Sequence, residues 1–186
     1  MYQSGWFWVW VALTVFWALG AYNRLVRLRA QVAVQYTPLM TALTGLTELA
    51  QQAISDSVAD VTSHRTNSDA LHIAACWRRL STSATQARVA MARMQEHSLL
   101  PESIEELNQS WRLFEDTWDE LKVSPWGLLP EPLRLQWQEQ RLLSQPLRRA
   151  FNRAVEQYNQ AIEMWPATLV ARLFQFRPAC PLQEGP

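Results

Sequence analysis

The chain has 186 residues, 17 Lys plus Arg against 17 Asp plus Glu, and two cysteines. The charge balance lacks the basic surplus of a nucleic-acid-binding domain. Cys76 and Cys180, far apart in sequence, are no disulfide framework and fit a reducing compartment.

From Gly5 to Tyr22 the chain reads GWFWVWVALTVFWALGAY, with no Asp, Glu, Lys or Arg. As a helix this stretch spans roughly 27 Å, against a hydrocarbon core of about 30 Å. Trp6, Trp8 and Trp10 gather at one end and Trp17 and Tyr22 near the other, as in the aromatic belts of a spanning helix. A buried core helix is one rival, weakened by the missing charged face. A cleaved signal peptide is the other. Ala18-Leu19-Gly20 has the small-x-small form of a cleavage site, but no Lys or Arg precedes the apolar run. Arg24, Arg27 and Arg29 follow the run at once. Basic flanks stay on the cytoplasmic side, so residues 1–4 are expected outside, 5–22 across the inner membrane, and the remainder in the cytoplasm.

The remaining residues, about 160, suit one domain. Leu25, Leu28, Val32, Leu39, Leu43, Leu46, Leu49 and Ala53 form one apolar stripe, so the spacing predicts a single helix over about 5–62 with a kink at Pro38. Ser63–Ser68 reads as a turn. A second helix carries Ile73, Trp77, Leu80, Ala84, Ala87, Met91 and Met94, with Asn67 or Ser68 as cap. A third, opened by Pro101, carries Ile104, Leu107, Trp111, Phe114, Trp118 and Leu121. SPWGLLPEP at 124–132 interrupts the periodicity. A fourth helix over about 132–165 has the predicted stripe Leu143, Leu147, Ala150, Ala154, Tyr158, Ala161 and Trp165, a bend at Pro146, and a stop at Pro166. A short element at 167–174 and a tail follow. Residues 102–120 hold seven acids beside Arg112, and residues 134–177 hold seven arginines with Glu139, Glu156 and Glu163. This pattern reads as complementary solvent faces on two antiparallel helices, or as a docking surface for a charged partner.

The expected fold is all-α: an N-terminal transmembrane helix, then an up-and-down antiparallel bundle of about four helices over 23–178, then a flexible tail at 179–186.

Little in the sequence suggests catalysis. His64 and His72 straddle a turn, and Glu96-His97 is not the Glu-x-x-His of a di-iron bundle. No Gly-x-Ser-x-Gly motif or Gly-rich phosphate loop is present. The expectation is a non-enzyme with no cofactor and no metal. Arg78-Arg79 and Arg148-Arg149 read as solvated basic pairs; only Arg24, Arg27 and Arg29 are sure to lie near lipid headgroups.

Two blocks resemble the LemA family of bacterial membrane-anchored helical proteins. The first is Tyr22-Asn23-Arg24-Leu25-Val26-Arg27-Leu28-Arg29, similar to the family's Y-N-x-L-V-x-L-R after the anchor. The second runs from Arg148-Arg149 through Phe151-Asn152, Ala154-Val155 and Tyr158-Asn159 to Ile162, Trp165-Pro166, Leu169, Ala171, Phe174, Phe176 and Pro178. Phe151 stands where the family has Tyr, and Trp165 where it has Phe. The family's basic pair followed by D-L-I-P-N-L-V is reduced to Thr37-Pro38-Leu39. The resemblance implies an N-terminal anchor, a cytoplasmic bundle and no established enzymatic activity. Asn152 and Asn159 lie seven residues apart on one helical face, where their amides either bond to a neighbouring segment or are solvated. Leu169, Leu173, Phe174 and Phe176 read as a chain end folded onto the bundle or laid against the membrane.

The expected function is that of an interaction or scaffold module. Its partners are the lipid bilayer and another protein, with self-association compatible and nucleic acid excluded. The alternative is a membrane-tethered sensor or stress-signalling component with an extracytoplasmic bundle. There Trp77, Trp111 and Trp118 would line a ligand pocket, or else simply pack the core.

Overall fold

Helical periodicity continues through nearly every segment of the computed structural model, which describes residues 3–60, 67–96, 100–124, 128–165 and 167–183. The described residues form five helices: α1 (Gln3–Asp60), α2 (Asn67–Glu96), α3 (Pro101–Lys122), α4 (Glu131–Glu163) and α5 (Ala167–Leu173). No strand occurs among the described residues. The all-α expectation therefore holds, with a long N-terminal helix leading into an up-and-down bundle.

At 58 residues, α1 is about 87 Å long. Its first third stands clear of the bundle. Every described side chain from Trp6 to Gly20 is exposed except Ala18, which is half-buried. This removes the core-helix reading, since a core helix turns such residues inward. The segment is long and apolar enough to cross a membrane. From Leu25 onward α1 joins the core, burying Leu25, Val32, Leu39, Leu43, Leu46, Ala50 and Ala53.

The stripes predicted for α2 and α3 are all buried, from Ile73 to Met94 and from Ile104 to Leu121. Asn67 and Ser68, the expected caps, are the first residues of α2. Residues 61–66, 97–99 and 125–127, which include most of the predicted turn, His64 and His97, lie outside the described residues. Pro101 begins α3, where its missing N–H costs no helical bond. Pro38 and Pro146, the expected sites of a kink and a bend, both lie inside their helices, and α1 and α4 continue through them. Both prolines are exposed, so water can satisfy the carbonyl each leaves without a donor, while the packed faces either side hold the helix.

The core is rich in large aromatics. Trp118 of α3 stacks on Trp137 of α4 with ring centroids 4.1 Å apart and an interplanar angle of 15°. Phe114 meets Trp137 edge-on at 5.4 Å. Trp77, Trp111 and Trp118 are buried in this cluster, so they pack the core. On the α2–α3 seam, the Ser83 and Thr117 hydroxyls share a buried hydrogen bond of 2.7 Å.

Two expectations need correction. First, α3 was expected to present its acids to the arginines of the fourth helix. Instead Glu120 pairs with Arg79 of α2 at 3.0 Å, and Glu106 pairs with Arg93 of α2. The expected α3–α4 pairing is met in part at the buried Glu115, which approaches Arg141 of α4 at 3.8 Å. The hairpin places α2 closest to α3, so its arginines reach the acids first. Second, the buried face of α4 is Leu133, Trp137, Ser144, Arg148, Phe151, Val155, Tyr158 and Ala161. Leu143, from the predicted stripe, is 63% exposed, and Trp165 is 82% exposed. Over residues 143–155 the inward face lies one residue further along than the predicted stripe, whereas Tyr158 and Ala161 are buried as predicted, and Arg148 stands on that face because its guanidinium reaches the Gln183 carbonyl of the chain's own tail.

Candidate functional site

The site begins with the end of α5. The Phe176 N–H donates to the Ala171 carbonyl at 2.9 Å, and the Gln175 N–H donates to Arg172 at 3.3 Å. Gln175 has φ 56°. This pairing, with a left-handed residue just past the helix, is a Schellman stop. Glycine is usual at that position; here Gln occupies it, which is why no turn was legible in the sequence. The stop reverses the chain and sends residues 176–183 back along α4 in an extended course. The chain beyond Pro178, expected to be a loose tail, instead lies on the bundle as far as Gln183, with Ala179 and Leu182 buried in the main core.

A ladder of side-chain amides holds it. Asn159 donates from Nδ2 to the Ala179 carbonyl at 2.7 Å and accepts the Ala179 N–H at 2.9 Å. Asn152 does the same with Leu182, at 2.7 and 2.9 Å. Asn108, from α3, donates to the Pro181 carbonyl at 3.3 Å and accepts the Gln183 N–H at 3.0 Å. The Tyr158 hydroxyl donates to Arg177 at 3.0 Å, and Arg148 donates from Nη1 to the Gln183 carbonyl at 2.9 Å. An Asn amide carries both a donor and an acceptor, so it pairs with a peptide unit as a neighbouring strand would. A helix offers no free backbone for that purpose, and the Asn side chains supply it. This explains why two poor helix formers stand seven residues apart in α4. Their spacing of two turns matches an extended chain advancing about 10 Å over three residues.

The other end of the tail meets the N-terminal half of α1. Leu25, Ala161, Val170 and Ala171 form a second buried cluster, against which Ala18, Ala21, Tyr22, Leu28, Ile162 and Phe176 pack. Tyr22 meets Phe174 at 4.8 Å and Phe176 at 5.9 Å between ring centroids. The two sequence blocks, separated by more than a hundred residues, thus converge at one end of the bundle. Phe151 is fully buried, and Leu25 likewise. Val26, Asn23, Arg24, Arg27 and Arg29 are exposed. Pro166 lies outside the described residues. Burial raises the Tyr158 phenol above its ordinary value, with the nearby Arg29 charge opposing the shift. Burial also raises the Tyr36 phenol, whose hydroxyl is buried without a hydrogen-bond partner.

Sequence reasoning missed two members of the ladder. Arg148 was read as half of a solvated basic pair, but it is buried, whereas its neighbour Arg149 is exposed. Asn108 was passed over, although an Asn one position beyond the buried Leu107 carries the same signal as Asn152 and Asn159. Among the described residues, no three His, Cys, Asp or Glu side chains gather as metal ligands would. A groove also opens between α1, α2 and α4, lined by Tyr36, Met40, Gly45, Met91, Gln140 and Leu143.

No protein-family model, curated protein or solved structure matches this chain.

Proposed function

We propose that this chain is a single-pass membrane protein, a divergent LemA-like one, whose bundle serves as a cytoplasmic interaction or scaffold module without catalytic activity. One observation carries the reading. An uncharged, tryptophan-rich length of α1 projects beyond the bundle with nearly every side chain exposed, an apolar surface far too extensive for a chain in water. Exposed Arg24, Arg27 and Arg29 at the root of this segment support a cytoplasmic bundle and an N-terminus outside. The spacing of the Asn152, Tyr158 and Asn159 block supports the family reading. The groove between α1, α2 and α4, with Met40, Met91 and exposed Leu143, supports an interaction role.

Alkaline phosphatase and a fluorescent protein fused after Pro186 test the topology. The expected result is a silent phosphatase and a fluorescent reporter in a carbonate-resistant membrane fraction. An active phosphatase would favour the extracytoplasmic sensor. Release by carbonate would remove the anchor altogether.

A further inference from the structure

The sequence ATLVARL of α5 has a single charge, Arg172. One face of this helix, Val170 and Ala171, is buried against α1. The opposite face should then be polar in a chain surrounded by water. Instead Leu169 and Leu173 point outward, Leu173 with 77% of its surface exposed. Around them lie Phe174, also exposed, and the end of α4 with exposed Met164 and Trp165. The result is a corner between Met164 and Phe174 whose exposed apolar side chains the bundle leaves uncovered.

The position of this corner says what covers it. The α5 cluster packs on Ala18, Ala21, Tyr22, Leu25 and Leu28 of α1. Tyr22 is the last residue of the uncharged segment. At the helical rise, those contacts extend from about 6 Å before Tyr22 to about 9 Å beyond it. An element fixed there stands at the boundary between hydrocarbon and headgroups whenever the segment spans. Interfacial helices lie at the same depth, about 5–10 Å into that boundary. Trp165 and Tyr22 are the side-chain types that favour it. Arg24 and Arg27 follow Tyr22 within two turns of α1, Arg172 and Arg177 flank Leu173 and Phe174 in sequence, and all four are exposed, so their long stems can carry the guanidinium groups to anionic headgroups. Glu163 is the one acid between Gln157 and Gln183 in the sequence.

We infer that the α4–α5 corner is a second membrane contact, in which Met164, Trp165, Leu169, Leu173 and Phe174 enter the lipid interface beside the anchor and fix the angle between bundle and bilayer. The inference rests on the membrane-anchored reading above. It commits to lipid, because Phe174 of the patch packs on Tyr22 at the end of the apolar segment. The Asn ladder then ties this corner to the middle of the bundle through residues 176–183.

The test uses the full chain reconstituted into phosphatidylcholine–phosphatidylglycerol vesicles, in a Cys76→Ala, Cys180→Ala background. An environment-sensitive fluorophore is placed singly at Leu173→Cys, at Phe16→Cys in the span, and at Gln52→Cys, about 45 Å beyond Tyr22 along α1. Lipids brominated at shallow or deep acyl positions serve as quenchers. The expected result is blue-shifted emission at 173, quenched at least two-fold more by shallow than by deep bromines. Quenching at 16 should be strong, and position 52 should be insensitive. If 173 behaves like 52 while 16 is quenched, the contact is refuted and the anchor stands. If 173 is shielded from water yet unquenched by either lipid, protein covers the corner and the contact is again refuted. If 16 is also unquenched, the anchor fails and the inference with it.

Discussion

Asn152→Ala offers the sharpest check on the ladder, because its effect should depend on a segment distant in sequence. The substitution removes two hydrogen bonds to Leu182, at 2.7 and 2.9 Å. At about 0.5–1.5 kcal/mol each, the direct loss is about 1–3 kcal/mol. Leu182 is buried, and its detachment would add at most about 1.5–3 kcal/mol. Asn108 and Asn159 still grip the peptide on either side, so the smaller figure is expected. The assay is urea unfolding of the full chain in detergent, followed by tryptophan emission and near-ultraviolet circular dichroism. The same substitution is then made in a chain ending at Arg177. There the amide has no peptide to hold, and the cost should fall to within about 0.5 kcal/mol of zero, so the cycle yields a coupling close to the whole effect. An equal loss in both backgrounds would refute the ladder as the reason for Asn152. It would mean that Asn152 stabilises α4 itself or a neighbour within the bundle.

Other substitutions probe separate features. Trp118→Ala should cost about 3–5 kcal/mol and abolish the near-ultraviolet signal of the stacked Trp118–Trp137 pair, since a fully buried ring leaves a cavity that α3 and α4 cannot close. Gln175→Gly should raise the urea midpoint by up to about 1 kcal/mol of stability, because glycine holds the left-handed backbone without strain; Gln175→Val should lower it. A Cβ at Gly45 would approach Oε1 of Gln140 to 2.7 Å, but that atom ends a flexible side chain. Gly45→Ala should therefore be neutral or stabilise the helix by up to about 1 kcal/mol in the same assay. Burial raises the phenols of Tyr158 and Tyr36 above 10.0, so the native state holds those protons where the unfolded chain releases them. Their contribution is fully present below pH 10 and is lost as pH rises through the native values. Tyr36→Phe should flatten that alkaline decline of the urea midpoint, and stabilise at neutral pH by about 1 kcal/mol because the buried hydroxyl lacks a partner.

The chain's own pattern determined the helices and most of what they bury. In α2 and α3 every predicted core position is buried, because apolar side chains recur there at the helical period. The uncharged segment at 5–22 and the arginines behind it were equally legible, since hydropathy and charge are local properties. Tertiary structure decided which of two adjacent faces α4 turns inward. The apolar count favoured Leu143, but the extended tail brings its peptide groups into the core, and buried peptide groups require partners, so Arg148 and the ladder asparagines face it instead. Nothing local announces that requirement, because the peptide lies twenty to seventy-five residues away along the chain. The reversal at Gln175 was hidden for the same reason: packing of Tyr22 against Phe174 and Phe176 holds a backbone conformation that glutamine would not choose alone.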